Sequence, residues 1–213
     1  MELVLDNWRF LLQGAYYTLL ITVVSMFFGL ILGLIIAIMR VKGNTFLRNI
    51  ARFYVSIIRG TPPLVQIFIV YYGLSDYGIE LPSIVAACIA LSINIAAYIA
   101  EAFRGALQSV PKGQLEAAVA SGMTEGQAMK RIIIPQAVRY AIPPIGNTFV
   151  GMLKETSLVS AIAVTELMRA AQLLVAQYYV YMPFYIMIAL MYWAMSVFFT
   201  FILNRVEKRL SVY

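Results

Sequence analysis

The sequence contains no histidine and a single cysteine, Cys88, among 213 residues. One thiol inside an apolar run cannot build an intrachain disulfide framework, and the two shortages together argue against a metal site, whose usual ligands are imidazole and thiolate. Charge is scarce as well: 12% of the residues are Asp, Glu, Lys or Arg against 62% apolar, and the mean hydropathy is +0.83. Such a composition lies outside the soluble range and excludes a soluble enzyme. No histidine dyad and no pair of intramembrane aspartates is available for an intramembrane protease. The formal charge of +6 does not indicate nucleic acid, because the basic residues form short clusters between apolar runs rather than one soluble face. The opening MELVLDNWRFLLQG carries Glu2 and Asp6 where a secretory signal would be basic, so no cleavable signal is expected.

What the chain has instead is long hydrophobic runs. Crossing about 30 Å of hydrocarbon at about 1.5 Å per residue takes about 20 apolar residues. Segments 14–39, 53–74, 81–103, 132–153 and 183–204 qualify, with Arg59 inside the second, Glu101 inside the third and Arg139 inside the fourth. The stretch KETSLVSAIAVTELMRAAQLL between the last two is short for a further span and reads as a partly buried or re-entrant helix. Basic residues in short loops mark the cytoplasmic side. Arg40, Lys42, Arg48 and Arg52 follow the first span, Arg104, Lys112, Lys130, Arg131 and Arg139 follow the third, and Arg205, Lys208 and Arg209 follow the last. This alternation places the amino terminus outside and the carboxyl terminus in the cytoplasm. The expected fold class is an all-α integral membrane protein, one domain over 1–213, with five transmembrane helices, a cytoplasmic helix in the loop 105–131 and a partly buried helix before the last span.

That loop reads GALQSVPKGQLEAAVASGMTEGQAMKR, in which Pro111 and Gly113 end the third span and Gly122 closes a short helix-forming run. It is either an interfacial connector or a docking helix for a cytoplasmic partner. Glu116, Ala117 and Ala118, then Gly122, then Ile132-Ile133-Ile134-Pro135, resemble the EAA loop of bacterial binding-protein-dependent ABC importer permeases. Arg59-Gly60-Thr61-Pro62-Pro63-Leu64-Val65-Gln66, Asn94 to Glu101 and Lys154 to Leu158 are similar to the polar amino-acid branch of that family. The resemblance implies a permease in the bacterial plasma membrane working with two ATP-binding subunits, an extracellular solute-binding protein and a second permease copy or close homologue, carrying an amino acid among membrane lipid. Glu116, Ala117, Ala118, Gly122 and Pro135 would then couple to the ATPases. The chain lacks a Gly-x4-Gly-Lys-Ser/Thr phosphate loop, so it is not itself an ATPase, and ATP and Mg belong to the partner subunits.

Polar groups at membrane depth are candidate solute contacts. Asn94 lies near the middle of the third span with Tyr98 one turn on; Asn94 either bonds a neighbouring helix or lines a cavity. Gln66 is a further candidate to face the cavity, whereas Glu101 and Arg104, at i and i+3, read as a local ion pair. The polar break Lys154-Glu155-Thr156-Ser157 is either a surface cap or an interrupted helix. In the second case the amides of Thr156 and Ser157 receive a solute carboxylate and Glu155 meets an ammonium or cationic side chain. Glu155 is the one acid besides Glu101 expected at membrane depth, and its length, where the family commonly has Asp or Asn, points to a basic amino acid. Tyr71, Tyr72, Tyr178, Tyr179 and Tyr181 read as outer interfacial anchors. An ion-coupled secondary amino-acid transporter is the rival reading, since it would use the same polar groups without a docking loop. The substrate side chain and the choice of homodimer or heterodimer stay open from sequence.

Overall fold

The computed structural model describes residues 2–210, and among these it contains helices and connections but no strand. A short helix α1 (Glu2–Asp6) precedes α2 (Trp8–Lys42), which runs through uninterrupted apolar sequence until Gly43. Helix α3 (Thr45–Gly60) opens with the Asn44 side chain accepting from the Leu47 N–H at 2.9 Å, replacing a bond the first turn cannot make within the helix. Helix α4 (Pro63–Phe68) continues as a π-helical turn over Ile69–Gly73. Helix α5 (Ser83–Ser109) is followed by α6 (Lys112–Ala120) and α7 (Glu125–Ala128), the latter closed by a reciprocal Thr124–Gln127 capping box. After a second π turn, Met129–Ile133, come α8 (Ile134–Glu155), a 3-10 segment (Thr156–Ile162), α9 (Leu167–Tyr178) and α10 (Met182–Leu210).

Helices α2, α5 and α10 are each long and apolar enough to cross a bilayer, and two bent pairs bring the spans to as many as five. One pair joins α3 to the α4 segment at 107°, the other joins the α7–Ile162 stretch to α9 at 48°. The second span expected at 53–74, with a kink at Arg59-Gly60-Thr61-Pro62-Pro63, is broken there outright, because Pro62 and Pro63 withhold two consecutive N–H groups from the helical ladder. Helix α8 by contrast absorbs Pro143 and Pro144 without stopping, and Pro135 falls where the π turn Met129–Ile133 passes into it. The partly buried helix expected before the last span is α9, whose Leu167, Ala170, Ala171 and Leu174 are buried.

The centre of the molecule is the α2–α5 seam. Gly29 and Gly33 face Ile95 and Ile99; a Cβ on Gly33 would stand 2.9 Å from the Ala96 carbonyl oxygen. Small residues at a four-residue interval let two backbones approach closely, and Ala96, Ala97 and Ala100 complete the dry contact. Gly14 plays the same part against α9, where a Cβ would lie 2.9 Å from Leu167 Cα. Helix α10 is held along one edge by Phe184, Ile188 and a Phe149–Phe199 ring contact at 5.0 Å. Its other side, including Trp193, Phe198 and Phe201, is bare, as a lipid-facing surface would be.

Candidate solute pathway and docking loop

The bend after α3 leaves backbone carbonyls without donors, and a side chain repairs it. The helical partner of the Ile58 carbonyl would be the N–H of residue 62, which is proline. Gln66 Nε2 donates to that carbonyl at 2.8 Å and to Thr61 Oγ1 at 2.8 Å. Its Oε1 accepts from Asn94 Nδ2 at 2.9 Å. Gln66 and Asn94 are 8% and 2% exposed, so the structure brings two of the expected site residues together but turns them toward each other inside the chain. Of the two alternatives for Asn94, its geometry is that of a bond to a neighbouring helix. Tyr98 stands apart from this pair: it is 39% exposed and its ring lies 5.4 Å beneath the Arg59 guanidinium.

One turn further along α5 sits Glu101. Arg104 donates to Glu101 Oε2 from Nη2 at 2.7 Å and from Nε at 2.9 Å, the local pair that the i, i+3 spacing predicts. The same carboxylate is paired with Arg40 of α2, and Arg59 of α3 reaches it at 3.8 Å. Sequence separation hid these two partners. Glu101 is thus the point at which α2, α3 and α5 are tied electrostatically.

The Lys154–Ser157 segment differs from the expected helix start. Helix α8 passes into the 3-10 segment without a gap, and the Thr156 and Ser157 hydroxyls donate back to Leu153 and Lys154 carbonyls at 2.8 and 2.7 Å. The Thr156 amide is likewise occupied by its own helix, so it is not free to receive a carboxylate. Glu155 is half-buried, and no hydrogen bond or ion pair involves its side chain among the described residues. The true helix start lies ten positions on.

There, Glu166 caps α9 from a fully buried site. Its carboxylate accepts the N–H groups of Met168 and Arg169, both at 2.9 Å, the Tyr192 hydroxyl at 2.7 Å and the Thr18 hydroxyl at 3.4 Å. Thr18 in turn accepts the Leu167 N–H at 3.3 Å. Glu166 is a buried acid that the expectation of Glu101 and Glu155 did not include. An available signal was Thr165-Glu166 ahead of the apolar run LMRAAQLL, a cap composition at the end of a stretch too long for one loop.

Between α5 and α8 the chain packs back on the helix ends through Leu115, Met129 and Ile132, which meet Val110 at the end of α5 and Ala137 of α8. In α6, Ala118 is buried while Glu116, Ala117 and Ala120 are exposed. Gly122 takes φ +88° with nothing within 4 Å of where a Cβ would be, so it supplies a left-handed turn rather than a close contact. Pro135 is exposed at the head of α8. No group of three or more metal-ligating acids, cysteines or histidines occurs among the described residues.

Residues 29–212 match the family described as binding-protein-dependent transport system inner membrane component. A Bacillus subtilis protein described as a probable amino-acid ABC transporter permease is 41% identical over 212 residues, covering 100% of this chain and 94% of its own. The L-cystine transport system permease protein of the same organism is 42% identical, covering 97% and 88% respectively. A solved structure described as an amino acid ABC transporter with histidines superposes with a TM-score of 0.94 at 38% identity, covering 97% of this chain and 96% of that one.

Proposed function

We propose, because the chain belongs to the family of binding-protein-dependent transport system inner membrane components, that it forms the translocation pathway of an ABC importer for polar amino acids. Relatives named for glutamine, arginine and L-cystine are 38%, 39% and 42% identical to it, so the shared amino-acid class is assigned rather than one side chain. The observation that carries the coupling part is α6, with Glu116 and Ala117 exposed and an open Gly122 turn beside them. On this reading the complex has two ATPase subunits, which bind ATP and Mg and grip α6 through the exposed Glu116 and Ala117, while the buried Ala118 seats the helix on its own chain. An extracellular binding protein delivers the solute to a pathway completed by a second permease copy. The basic clusters favour the plasma membrane orientation with the amino terminus outside and the carboxyl terminus in the cytoplasm. Glu155, half-buried and without a partner of its own, is the acid we assign to the solute, with Ser157, Thr156 and Tyr98 near the pathway in supporting positions; Gln66 and Asn94 act through the shape of the bend.

Alternating access then uses the breaks already present. ATP-driven closure of the partners pushes α6, and the bundle re-exposes the pathway to the opposite side. The experiment is Gly122→Asp, since aspartate tolerates the left-handed turn while adding bulk and charge at the docking surface. Expected are normal membrane insertion, loss of ATPase co-purification and loss of ATP-dependent uptake. Unchanged assembly and uptake would overturn the docking role, and uptake driven by an ion gradient without any ATPase would favour the secondary-carrier reading.

A further inference from the structure

Helix α3 ends at membrane depth. The Ile58 carbonyl, one residue before Arg59, accepts its bond from Gln66, and Gln66 in turn accepts one from Asn94, near the middle of α5. Arg59 therefore leaves the backbone close to the level of Asn94, inside the span that α5 makes. Its side chain is nevertheless 45% exposed. A guanidinium at that depth does not sit against lipid; it faces a bundle interior or a water-filled cavity. The helix itself shows the direction. Phe46, Ile50, Phe53 and Ile57 form a bare apolar row, and at about 100° per residue Arg59 stands roughly 200° around the axis from Ile57. The lipid side of α3 is thus turned away from Arg59, while Ala51 and Val55, on a third side, are buried against α2 and α5.

The guanidinium is held in place without being neutralised. It lies 5.4 Å from the centroid of the Tyr98 ring and 3.8 Å from Glu101 Oε2. That carboxylate already accepts two bonds from Arg104, at 2.7 and 2.9 Å, and is paired with Arg40 through its other oxygen. Three guanidinium charges share one carboxylate, and Arg59 is both the most distant and the most exposed of the three. A guanidinium stacked on a ring presents its N–H edge, the fork that matches a carboxylate.

One group of the solute still lacks a receptor. Amino acids share an α-carboxylate whatever their side chain, and the Thr156 amide expected to receive it is occupied by its own helix. We propose that Arg59 receives the α-carboxylate of the solute, with Tyr98 as the platform on which the guanidinium lies and Glu101 as the anchor that limits its reach. This rests on the amino-acid permease reading and deepens it: Glu155 is assigned to what varies between solutes, Arg59 to what they share.

The test uses the permease assembled with its ATPase subunits in lipid nanodiscs, without binding protein, so that the selectivity read is the permease's own. Binding of radiolabelled L-arginine, L-glutamine and L-cystine is competed by each unlabelled amino acid and by its carboxamide, which keeps the side chain and the α-ammonium group and loses the carboxylate. The parent is expected to prefer the acid by roughly 10- to 150-fold, the worth of one charge-assisted hydrogen bond. Arg59→Gln should bring that ratio toward one, and Arg59→Lys should keep part of it because the charge remains. Arg48→Gln, on the same helix, should leave it intact. A ratio that survives Arg59→Gln, or that Arg59→Lys loses as completely, would overturn the proposal. So would a ratio lost in Lys154→Gln instead, which would assign the carboxylate to Lys154. A parent complex that binds none of the three amino acids would remove the amino-acid reading itself and the proposal with it.

Discussion

Replacing Gln66 by leucine tests whether the α3–α4 bend is held by its amide. Leucine is of similar bulk but has neither donor nor acceptor, so Gln66→Leu orphans two groups at once: the Ile58 carbonyl and the Asn94 amide. Asn94→Leu orphans one, Gln66 Oε1. The double substitution removes the Gln66–Asn94 pair together and leaves only the Ile58 carbonyl exposed to the packed interior. An unpaired buried polar group costs about 1–3 kcal/mol, and values inside bilayers fall at the lower end, so about 1 kcal/mol per orphan is used. The losses become about 2 kcal/mol for Gln66→Leu, about 1 for Asn94→Leu and about 1 for the pair. The double variant is therefore expected to be more stable than Gln66→Leu alone. Unfolding in mixed micelles by increasing sodium dodecyl sulfate, followed by circular dichroism, measures all three. Additive losses in the double variant would refute the reasoning. So would unchanged stability of Gln66→Leu with a raised KM for uptake, which would return Gln66 to the solute.

Gly33→Ala brings a methyl group to 2.9 Å from the Ala96 carbonyl oxygen, and the overpacked α2–α5 seam should lose about 1–3 kcal/mol in the same unfolding assay; full stability would mean the helices can part freely. Glu166→Ala leaves the Met168 and Arg169 N–H groups and the Tyr192 hydroxyl without their acceptor, so a loss of about 2–4 kcal/mol and reduced membrane yield are expected, with Glu166→Gln intermediate because it retains one acceptor oxygen. Glu155→Gln should weaken uptake of arginine or lysine by roughly 10- to 150-fold in vesicles holding the complete complex, with a smaller effect on glutamine. Equal losses for both solutes would make Glu155 a structural residue.

The long apolar helices α2, α5 and α10 were legible because hydrocarbon thickness imposes a length that composition can be searched for, and the loop was legible because it interrupts that composition. The bend at Pro62-Pro63 could be placed but not its angle, since two missing N–H groups remove bonds without dictating the new direction. Glu101 shows the same boundary: its Arg104 partner follows from helical spacing, whereas Arg40 and Arg59 come from two other helices whose packing no local pattern encodes. Gly29-x-x-x-Gly33 was a readable sign of the tightest seam, though only the fold shows that α5 is the helix that fills it. Lys154–Ser157 misled because a polar cluster after an apolar run looks like an interruption, while short hydroxyl side chains can bond back to their own helix and let it continue.

The buried Glu166 also bears on how the protein is made. Its carboxyl group gathers a hydroxyl from the first long helix and another from the last, Thr18 and Tyr192, which lie 148 and 26 residues away along the chain. Of the four donors that satisfy this carboxylate, two come from the helix it caps and the other two from helices at opposite ends of the fold. A chain cut short before Tyr192 would lack one of them at a site with no water to replace it, so the residue that caps α9 also makes the stability of the early helices depend on the docking of α10.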